Sequence, residues 1–285
     1  MSPILRGALW MIGAIIAFPT MAVAGREISA MHDTFEIMLF RSIFGIMVVL
    51  SIGGISGTLG QINTRHMPLH VLRNAAHFAG QNLWFYALTV IPLAQVFALE
   101  FTSPIWVMAL APLFLGERFT RWRAFAGVMG IAGVLVVVRP DVDSINPGVI
   151  AAALAAIGFA GTAICTKILT KEHSITCILF WLTVLQAIFG LICAGYDGQV
   201  TWPSLASAPW LAVIGMAGLL GHFCLTKALS AAPASIVMPI DFARLPVIVG
   251  IGMILYNEPF DVLVIFGGVM IFLGNYLNIR AESRS

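Results

Sequence analysis

The chain has 285 residues, of which 60% are hydrophobic and 10% are charged, and its mean hydropathy is +0.97. Soluble domains contain roughly 25% charged residues, so this composition excludes a water-soluble globule. The net charge of +2 is small and the basic residues are dispersed over short loops, which excludes nucleic acid as a partner.

The apolar runs predict an all-α membrane protein. A bilayer core about 30 Å thick needs roughly 20 apolar residues per helix, and lipid admits only helices or closed barrels. No run alternates as a barrel strand would. In chain order, the predicted spans are 5–24, 36–54, 71–90, 94–114, 123–139, 147–168, 176–195, 209–230, 234–256 and 261–279.

The first span has an alternative interpretation. Arg6, an apolar run and then Ala22-Val23-Ala24 are typical of a cleavable secretory signal. The same stretch has a counterpart in the middle of the chain, described next. We therefore interpret it as the first transmembrane helix.

An internal repeat relates the two halves of the chain. Pro92 and Pro233, each between two predicted helices, are 141 residues apart, and one gap-free offset from residue 7 to residue 280 predicts a duplication. We expect repeat units 1–141 and 142–285. Further pairs at this offset are Gly7 with Gly148, Phe18 with Phe159, Gly80 with Gly221, Ala87 with Ala228, Phe101 with Phe242, Glu117 with Glu258, Gly127 with Gly268, Gly133 with Gly274, and Arg139 with Arg280.

The repeat predicts an inverted architecture. Each unit contains five helices, an odd number, so the second unit enters the membrane from the opposite side. Loop cations predict cytoplasmic N- and C-termini in a bacterial inner membrane. The inner segments would then contain Arg6, Arg65, Arg73, Arg118, Arg121, Arg123, Lys167, Lys171, Arg280 and Arg284, and the outer segments Arg26 and Arg139.

Two intramembrane acids are symmetry mates. Glu100 on the fourth helix corresponds to Asp241 on the ninth, and both precede Phe. Inversion predicts that Glu100 lies toward the outer side and Asp241 toward the inner side, as gates around a central site. We expect Arg41 to pair with Glu100 and Arg244 with Asp241, because these cations lie at matching depths. The alternative is that the ion pairs only lock helices together.

Other polar residues within helices are candidates for substrate binding. His77 and His222 suit a proton relay or a substrate contact, and the alternative is that each is satisfied by a neighbouring helix. Gln81 and Trp84 follow His77 on the third helix, and an aromatic face suits a planar or cationic solute. Trp181 on the seventh helix is a weaker candidate.

Prolines interrupt the helices that contain the paired acids. A proline removes a backbone hydrogen bond and kinks a helix, so the kinks favour a moving role, although rigid membrane proteins contain kinks too. The prolines are Pro104 and Pro112 in the fourth helix and Pro239 and Pro246 in the ninth.

The cysteines do not predict a metal site. They lie in apolar stretches without a Cys-x-x-Cys pair, so we interpret them as small packing residues. No metal, cofactor or catalytic residue is expected. The cysteines are Cys165, Cys177, Cys193 and Cys224.

Nearly the whole chain resembles the EamA-type drug/metabolite transporters. The resemblance rests on Leu115-Gly116-Glu117-Arg118, on a Gly-x-x-Gly-x-x-Gly helix ending in Val138-Arg139-Pro140, and on Tyr256-Asn257-Glu258-Pro259, where Asn257 replaces a glycine. It implies a basket of helices around a central cavity, with helices one to four and six to nine lining it. Members move amino acids, nucleosides or cofactor-like solutes, and no substrate-defining motif is recognised.

The sequence therefore predicts a secondary carrier of a small metabolite such as an amino acid or a cofactor-like solute, working by alternating access. No P-loop motif for ATP is present, and protons are a candidate coupling ion. Two alternatives are an intramembrane enzyme acting on a lipid-linked substrate, which the short loops disfavour, and a structural or sensor-like membrane protein. The sequence does not specify an oligomer.

The topology can be tested with reporter fusions. Fusions after Asp141 and Asp197 should report the outer side, and fusions after Arg65 and Lys171 the inner side, because the repeats alternate in direction. Alkaline phosphatase and green fluorescent protein provide the two readouts. A cytoplasmic signal from the fusion at residue 141 would contradict the inverted repeat.

Overall fold

The computed structural model describes residues 2–117, 120–139, 146–196, 198–258 and 262–282. Of the residues singled out above, Arg118, Pro140, Asp141, Asp197, Pro259 and Arg284 lie outside these ranges. The described chain is helical and contains no strand. Its α-helices are α1 (Pro3–Ile28), α2 (Thr34–Ile55), α3 (Met67–Val90), α4 (Leu93–Glu100), α5 (Ser103–Leu115), α6 (Arg121–Val138), α7 (Pro147–Leu169), α8 (Ile175–Ala194), α9 (Ala208–Ala231), α10 (Ala234–Ile240), α11 (Arg244–Tyr256) and α12 (Val262–Glu282).

Seven segments within the described ranges are long and apolar enough to cross a membrane: α1, α2, α4 with α5, α7, α8, α9, and α10 with α11. The helix α3 is more polar than these, since it contains His70, Arg73, Asn74, His77 and Gln81, all buried in the bundle. A buried polar helix needs partners inside the protein, so α3 faces the bundle interior.

The fourth and ninth predicted helices are each broken in two. One break separates α4 from α5 at residues 101–102, and the other is a 3-10 turn at Asp241–Ala243 between α10 and α11. Pro104 lies in the first turn of α5, where its missing N–H costs no helical hydrogen bond. Both breaks occur next to the paired acids.

Packing between the two halves is symmetric under the 141-residue offset. The most extensive contacts pair α1 with α9, α3 with α7, α2 with α8, and α6 with α12. The offset relates α1 to α7, α2 to α8, α3 to α9 and α6 to α12. Replacing each helix by its repeat mate gives the same set of pairs. The duplicated residues meet accordingly, because a Cβ on Gly221 would lie 2.5 Å from the Phe18 ring and one on Gly80 would lie 3.3 Å from the Phe159 ring.

A pair of duplicated acids holds the starts of the broken helices. Glu117 accepts hydrogen bonds from the backbone N–H groups of Ala234 and Ser235 at the start of α10, at 2.9 and 3.3 Å. Glu258 accepts one from the N–H of Leu93 at the start of α4, at 3.0 Å. The first N–H groups of a helix have no partner within it and favour negative charge, so each acid caps a helix of the other half.

Duplicated cations hold the ends of the preceding helices. The Arg26 guanidinium donates to the carbonyl of Ile91 after α3, at 3.1 Å, and to Glu258 at 3.0 Å. Lys167, the repeat mate of Arg26, donates to the carbonyl of Ala232 after α9, at 2.8 Å. Arg26 and Glu258 thus fix the turn between α3 and α4, and Lys167 and Glu117 fix the turn between α9 and α10. We call these two sets of residues the clasps.

Candidate functional site

The two helix breaks bring Glu100 and Asp241 into the interior of the bundle. Glu100 is the last residue of α4 and Asp241 is the first residue of the 3-10 turn after α10. Their exposed fractions are 8% and 7%. Because backbone at a helix break is not fully hydrogen-bonded within the helix, such breaks in membrane proteins lie where protein or a cavity surrounds them.

Both acids bind the same cation. Nη2 of Arg244, at the start of α11, donates to Oε1 of Glu100 at 2.7 Å and also to Oδ2 of Asp241. Arg244 is 2% exposed. We call Glu100, Asp241 and Arg244 the central cluster. It joins the two halves of the chain through one guanidinium.

Aromatic rings surround the central cluster. The indole N–H of Trp84 donates to Oε2 of Glu100 at 2.7 Å. The guanidinium carbon of Arg244 lies 5.0, 5.3 and 5.5 Å from the ring centres of Phe18, Phe97 and Phe101. A cation over an aromatic face is stabilised by the ring quadrupole, so the rings replace part of the hydration that Arg244 loses.

A cavity of about 60 Å³ lies beside the central cluster. It is bounded by helices from both halves, and its polar lining residues beyond the cluster include His77, Gln81, Ser103 and His222. The rings of His77 and His222 are 4.6 Å apart and almost perpendicular. The predicted candidates His77, Gln81, Trp84, Glu100, His222, Asp241 and Arg244 therefore share one site.

Several polar atoms in this lining have no hydrogen-bond partner within the described part of the chain. Buried polar groups are normally satisfied, so a group of unsatisfied atoms around one cavity is typical of a site that receives a polar ligand or water. These atoms are both ring nitrogens of His77, Nε2 of Gln81, Oγ of Ser103, Nε2 of His222, Oδ1 of Asp241 and Nε of Arg244.

The charges in the central cluster do not balance. With both carboxylates ionised and histidines neutral, two negative charges face the single positive charge of Arg244. The repeat mate of Arg244 is Ser103, a neutral residue. On this formal count, a proton or a cationic group would balance the charge of the central cluster.

The predicted pair of Arg41 and Glu100 does not form. Arg41 is buried on α2, its guanidinium lies 3.6 Å from the sulfur of Met21, and no described carboxylate is within ion-pair distance. The reason is that α4 packs against α11, so Glu100 meets Arg244 instead. The predicted pair of Arg244 and Asp241 is present, but the two acids meet at one cation and not in separate layers.

Trp181 lies away from the cavity. Its indole N–H donates to the carbonyl of Asn63 at 2.8 Å, in the loop before α3. Arg41 lines a different small cavity together with Gln186. The structure thus separates these two candidates from the other seven.

Some lining residues were missed by sequence reasoning. The repeat could have identified Phe18 and Phe159 as lining residues, since they are repeat mates and both line the cavity. The repeat indicates Ser103 less strongly, because Ser103 is the repeat mate of Arg244 and differs from it in type. Met21, Thr162 and Met238 line the cavity as well, but they resemble ordinary helix-packing residues and gave no signal.

Cys165, Cys177 and Cys224 are buried, as the interpretation as packing residues expects. Cys177 also has a histidine, His173, four residues before it. The structure places these two side chains beside His70, so that one ligand atom from each lies within 4.8 Å of the others. This cluster is outside the lining of the cavity.

The family model of the EamA-like transporters matches the chain twice, at residues 5–139 and 146–280. The chain belongs to the EamA-like transporter family. The resemblance inferred from the sequence is thereby confirmed, and the chain is a multi-pass membrane protein with two EamA repeats. Membership of a transporter family also confirms the prediction of a carrier.

This EamA-like transporter is similar to several curated proteins. It is 28% identical over 281 residues to an S-adenosylmethionine uptake transporter of Rickettsia conorii, covering 99% of this chain and 95% of that protein. It is 37% identical over 199 residues to a riboflavin transporter of Brucella anthropi, covering 68% and 70%. It is 28% identical over 266 residues to a pseudopaline exporter of Pseudomonas aeruginosa, covering 93% of each.

A crystal structure of a protein aligns with the EamA-like transporter at a TM-score of 0.79. The two chains are 16% identical, and the alignment covers 98% of each. This likeness shows a shared fold.

The geometry of the central cluster can be tested with a double-mutant cycle. Arg244→Met should lower the free energy of unfolding by about 3–5 kcal/mol, because it leaves buried carboxylates without their cation. Adding Glu100→Gln should recover part of this loss, with a coupling of about 0.5–3 kcal/mol. Unfolding of the purified protein in detergent, followed by circular dichroism, measures these changes.

The matched control cycle combines Arg41→Met with Glu100→Gln. These changes should add within about 0.5 kcal/mol, as expected for residues without a shared partner. Coupling of Glu100 to Arg41 and not to Arg244 would contradict the geometry.

Proposed function

We propose that this chain is a secondary carrier that moves a small metabolite across the bacterial inner membrane by alternating access. Ten spans would result if α3, α6 and α12 cross the bilayer together with the seven apolar segments. Units 1–141 and 142–285 would then be inverted repeats with cytoplasmic termini. The exchange-symmetric packing of the helices and the predominance of Lys and Arg in the inner loops support this arrangement.

The observation on which the proposal rests is the shared cation at the cavity. Arg244 contacts one carboxylate from each half, next to a group of unsatisfied polar atoms. The ligand therefore competes with, or inserts into, the contact that joins the halves. Binding and the relative position of the halves are coupled at this point.

The cavity volume indicates a contracted state. Ligand pockets measure roughly 300–1,000 Å³, whereas this cavity measures about 60 Å³. Entry of a metabolite requires the helices around the central cluster to separate. The breaks between α4 and α5 and between α10 and α11 provide hinges for this movement.

The lining favours a particular class of substrate. The excess negative charge suits an amino group or another cation, and the faces of Trp84, Phe18 and Phe159 suit a planar or apolar portion. A small amino-acid-derived or cofactor-like solute has both features. The transported compounds named for the similar proteins, S-adenosylmethionine, riboflavin and pseudopaline, support a small polar metabolite.

A proton is the proposed coupling ion. Protonation of Glu100 or Asp241 would balance the charge of the central cluster and release Arg244 from one partner. Transport would then draw on the proton gradient. Each of the similar proteins named above is a transporter, and no contact in the described structure favours the enzyme alternative.

The acids of the central cluster can be tested by uptake into proteoliposomes. Glu100→Gln and Asp241→Asn should each lower the initial rate about 10- to 100-fold, since a hydrogen bond to a charged group contributes about 1.5–3 kcal/mol. The assay uses radiolabelled S-adenosylmethionine, riboflavin and amino acids with an imposed pH gradient.

The matched control is Glu172→Gln, since its side chain is 50% exposed and lies outside the cavity lining. It should leave uptake at the wild-type rate. All variants are compared at equal amounts of folded, reconstituted protein. Wild-type uptake in both cluster variants would disprove the role of these acids.

A further inference from the structure

A second polar cluster lies where α3 and α8 begin. His70 is in the first turns of α3, His173 lies just before α8, and Cys177 is in the first turn of α8. Their exposed fractions are 0%, 7% and 0%. One potential ligand atom of each residue lies within 4.8 Å of the others.

The local geometry places a thiol between imidazoles. His173 and Cys177 are four residues apart, and Nδ1 of His173 lies 3.6 Å from the Cys177 sulfur. The rings of His70 and His173 are 5.0 Å apart. Both ring nitrogens of His70 are buried and have no hydrogen-bond partner in the described part of the chain. Buried polar groups are normally satisfied, so an imidazole in this state is typical of a site that receives a ligand, an ion or water.

The repeat mates of these residues form a different and fully hydrogen-bonded network. His32, the mate of His173, contacts Glu36 through Nδ1 at 3.1 Å and Ser207 through Nε2 at 3.0 Å. Glu36 is the mate of Cys177, Ser207 of His66, and Leu211 of His70.

The comparison separates a structural role from a binding role. Where α2 and α9 begin, a hydrogen-bonded set of His32, Glu36 and Ser207 suffices to hold the helix ends. Where α3 and α8 begin, the residues in place of Glu36, Ser207 and Leu211 each have a side-chain nitrogen or sulfur: they are Cys177, His66 and His70. Packing alone does not require this, because an apolar residue fills the position that corresponds to His70.

A second layer orients His173. Nδ1 of His66 lies 3.3 Å from Nε2 of His173 and 3.5 Å from a carboxylate oxygen of Glu172. Metal-binding histidines commonly use their second ring nitrogen in such contacts, which fix the ring orientation. Nε2 of His173 is therefore engaged by His66, and its Nδ1 faces the Cys177 sulfur at 3.6 Å.

We propose that His70, His173 and Cys177 bind a first-row transition-metal ion of the Zn²⁺ type. Imidazole and thiolate are the ligands that Zn²⁺ prefers, and three protein ligands leave a fourth tetrahedral position for water. Bond lengths of 2.0–2.3 Å place neighbouring ligand atoms roughly 3.3–3.8 Å apart. The distance of 3.6 Å between His173 and Cys177 fits this range.

Binding is accompanied by release of a proton. The Cys177 thiol contacts the carbonyl of Asn63 at 3.6 Å, and this contact ends when the sulfur loses its proton to solvent and binds the metal as thiolate. The ion then links α3 of the first half to α8 of the second. This site is independent of the transport proposal, because it does not share residues with the central cluster.

The test is metal binding by the purified full-length chain, prepared without a histidine tag and stripped with a chelator. Titration with Zn²⁺ should show one high-affinity ion per chain and raise the melting temperature, since a ligand stabilises the folded state by mass action. Co²⁺ should give a thiolate-to-metal charge-transfer band, which reports the Cys177 sulfur directly and needs no variant.

Two variants and one control complete the experiment. His70→Leu copies the residue found in the other repeat, and Cys177→Ser is nearly isosteric, so both should fold; each should weaken Zn²⁺ binding at least tenfold. Cys193→Ser, at the other end of α8, should bind as the wild type does. Zn²⁺ affinity unchanged in His70→Leu and Cys177→Ser, or a Co²⁺ complex without the thiolate band, would overturn the proposal.

Discussion

One guanidinium shared by two carboxylates joins the two halves of the chain at the centre of the bundle. Glu100 comes from the first half, Asp241 and Arg244 come from the second, and all three are buried. Breaking a buried ion pair is costly because it leaves a charge without a partner. Movement of one half against the other is therefore opposed until a proton, a substrate group or water replaces the lost contact. In the proposed carrier, this constraint connects the stability of the bundle with the transport cycle.

The clasps and the helix breaks determine where the central cluster lies in the bundle. Glu117 and Glu258 cap the starts of α10 and α4. Arg26 and Lys167 donate hydrogen bonds to carbonyl groups at the ends of α3 and α9. With the starts fixed, the breaks at residues 101–102 and 241–243 set the positions of the acids. The duplicated glutamates of the family resemblance thus act as helix caps in this structure, at a distance from the cavity. They allow short broken helices to remain ordered inside a membrane protein.

Hydropathy predicted an all-helical membrane protein, because a bilayer imposes helix length. The repeat singled out Glu100 and Asp241 as matched acids, and the structure places both at one cation. The prolines also indicated the broken helices, since Pro104 and Pro239 lie next to the breaks. The partner of Glu100 was predicted wrongly as Arg41, because symmetry suggested one cation per acid, whereas the structure has Ser103 at the position equivalent to Arg244. His70 and Cys177 come together only through the packing of α3 on α8, which the order of residues along the chain does not reveal.

In the proposed carrier, the cavity beside Arg244 opens alternately to the two sides of the membrane. Ser103 is 3% exposed and lines this cavity, so a Ser103→Cys variant reports its accessibility. The measurement is alkylation at residue 103 by a membrane-impermeant maleimide, read by mass spectrometry in right-side-out and inside-out vesicles. Alternating access requires labelling from both sides. Labelling from one side only, or from neither side in protein that is labelled once denatured, would disprove it.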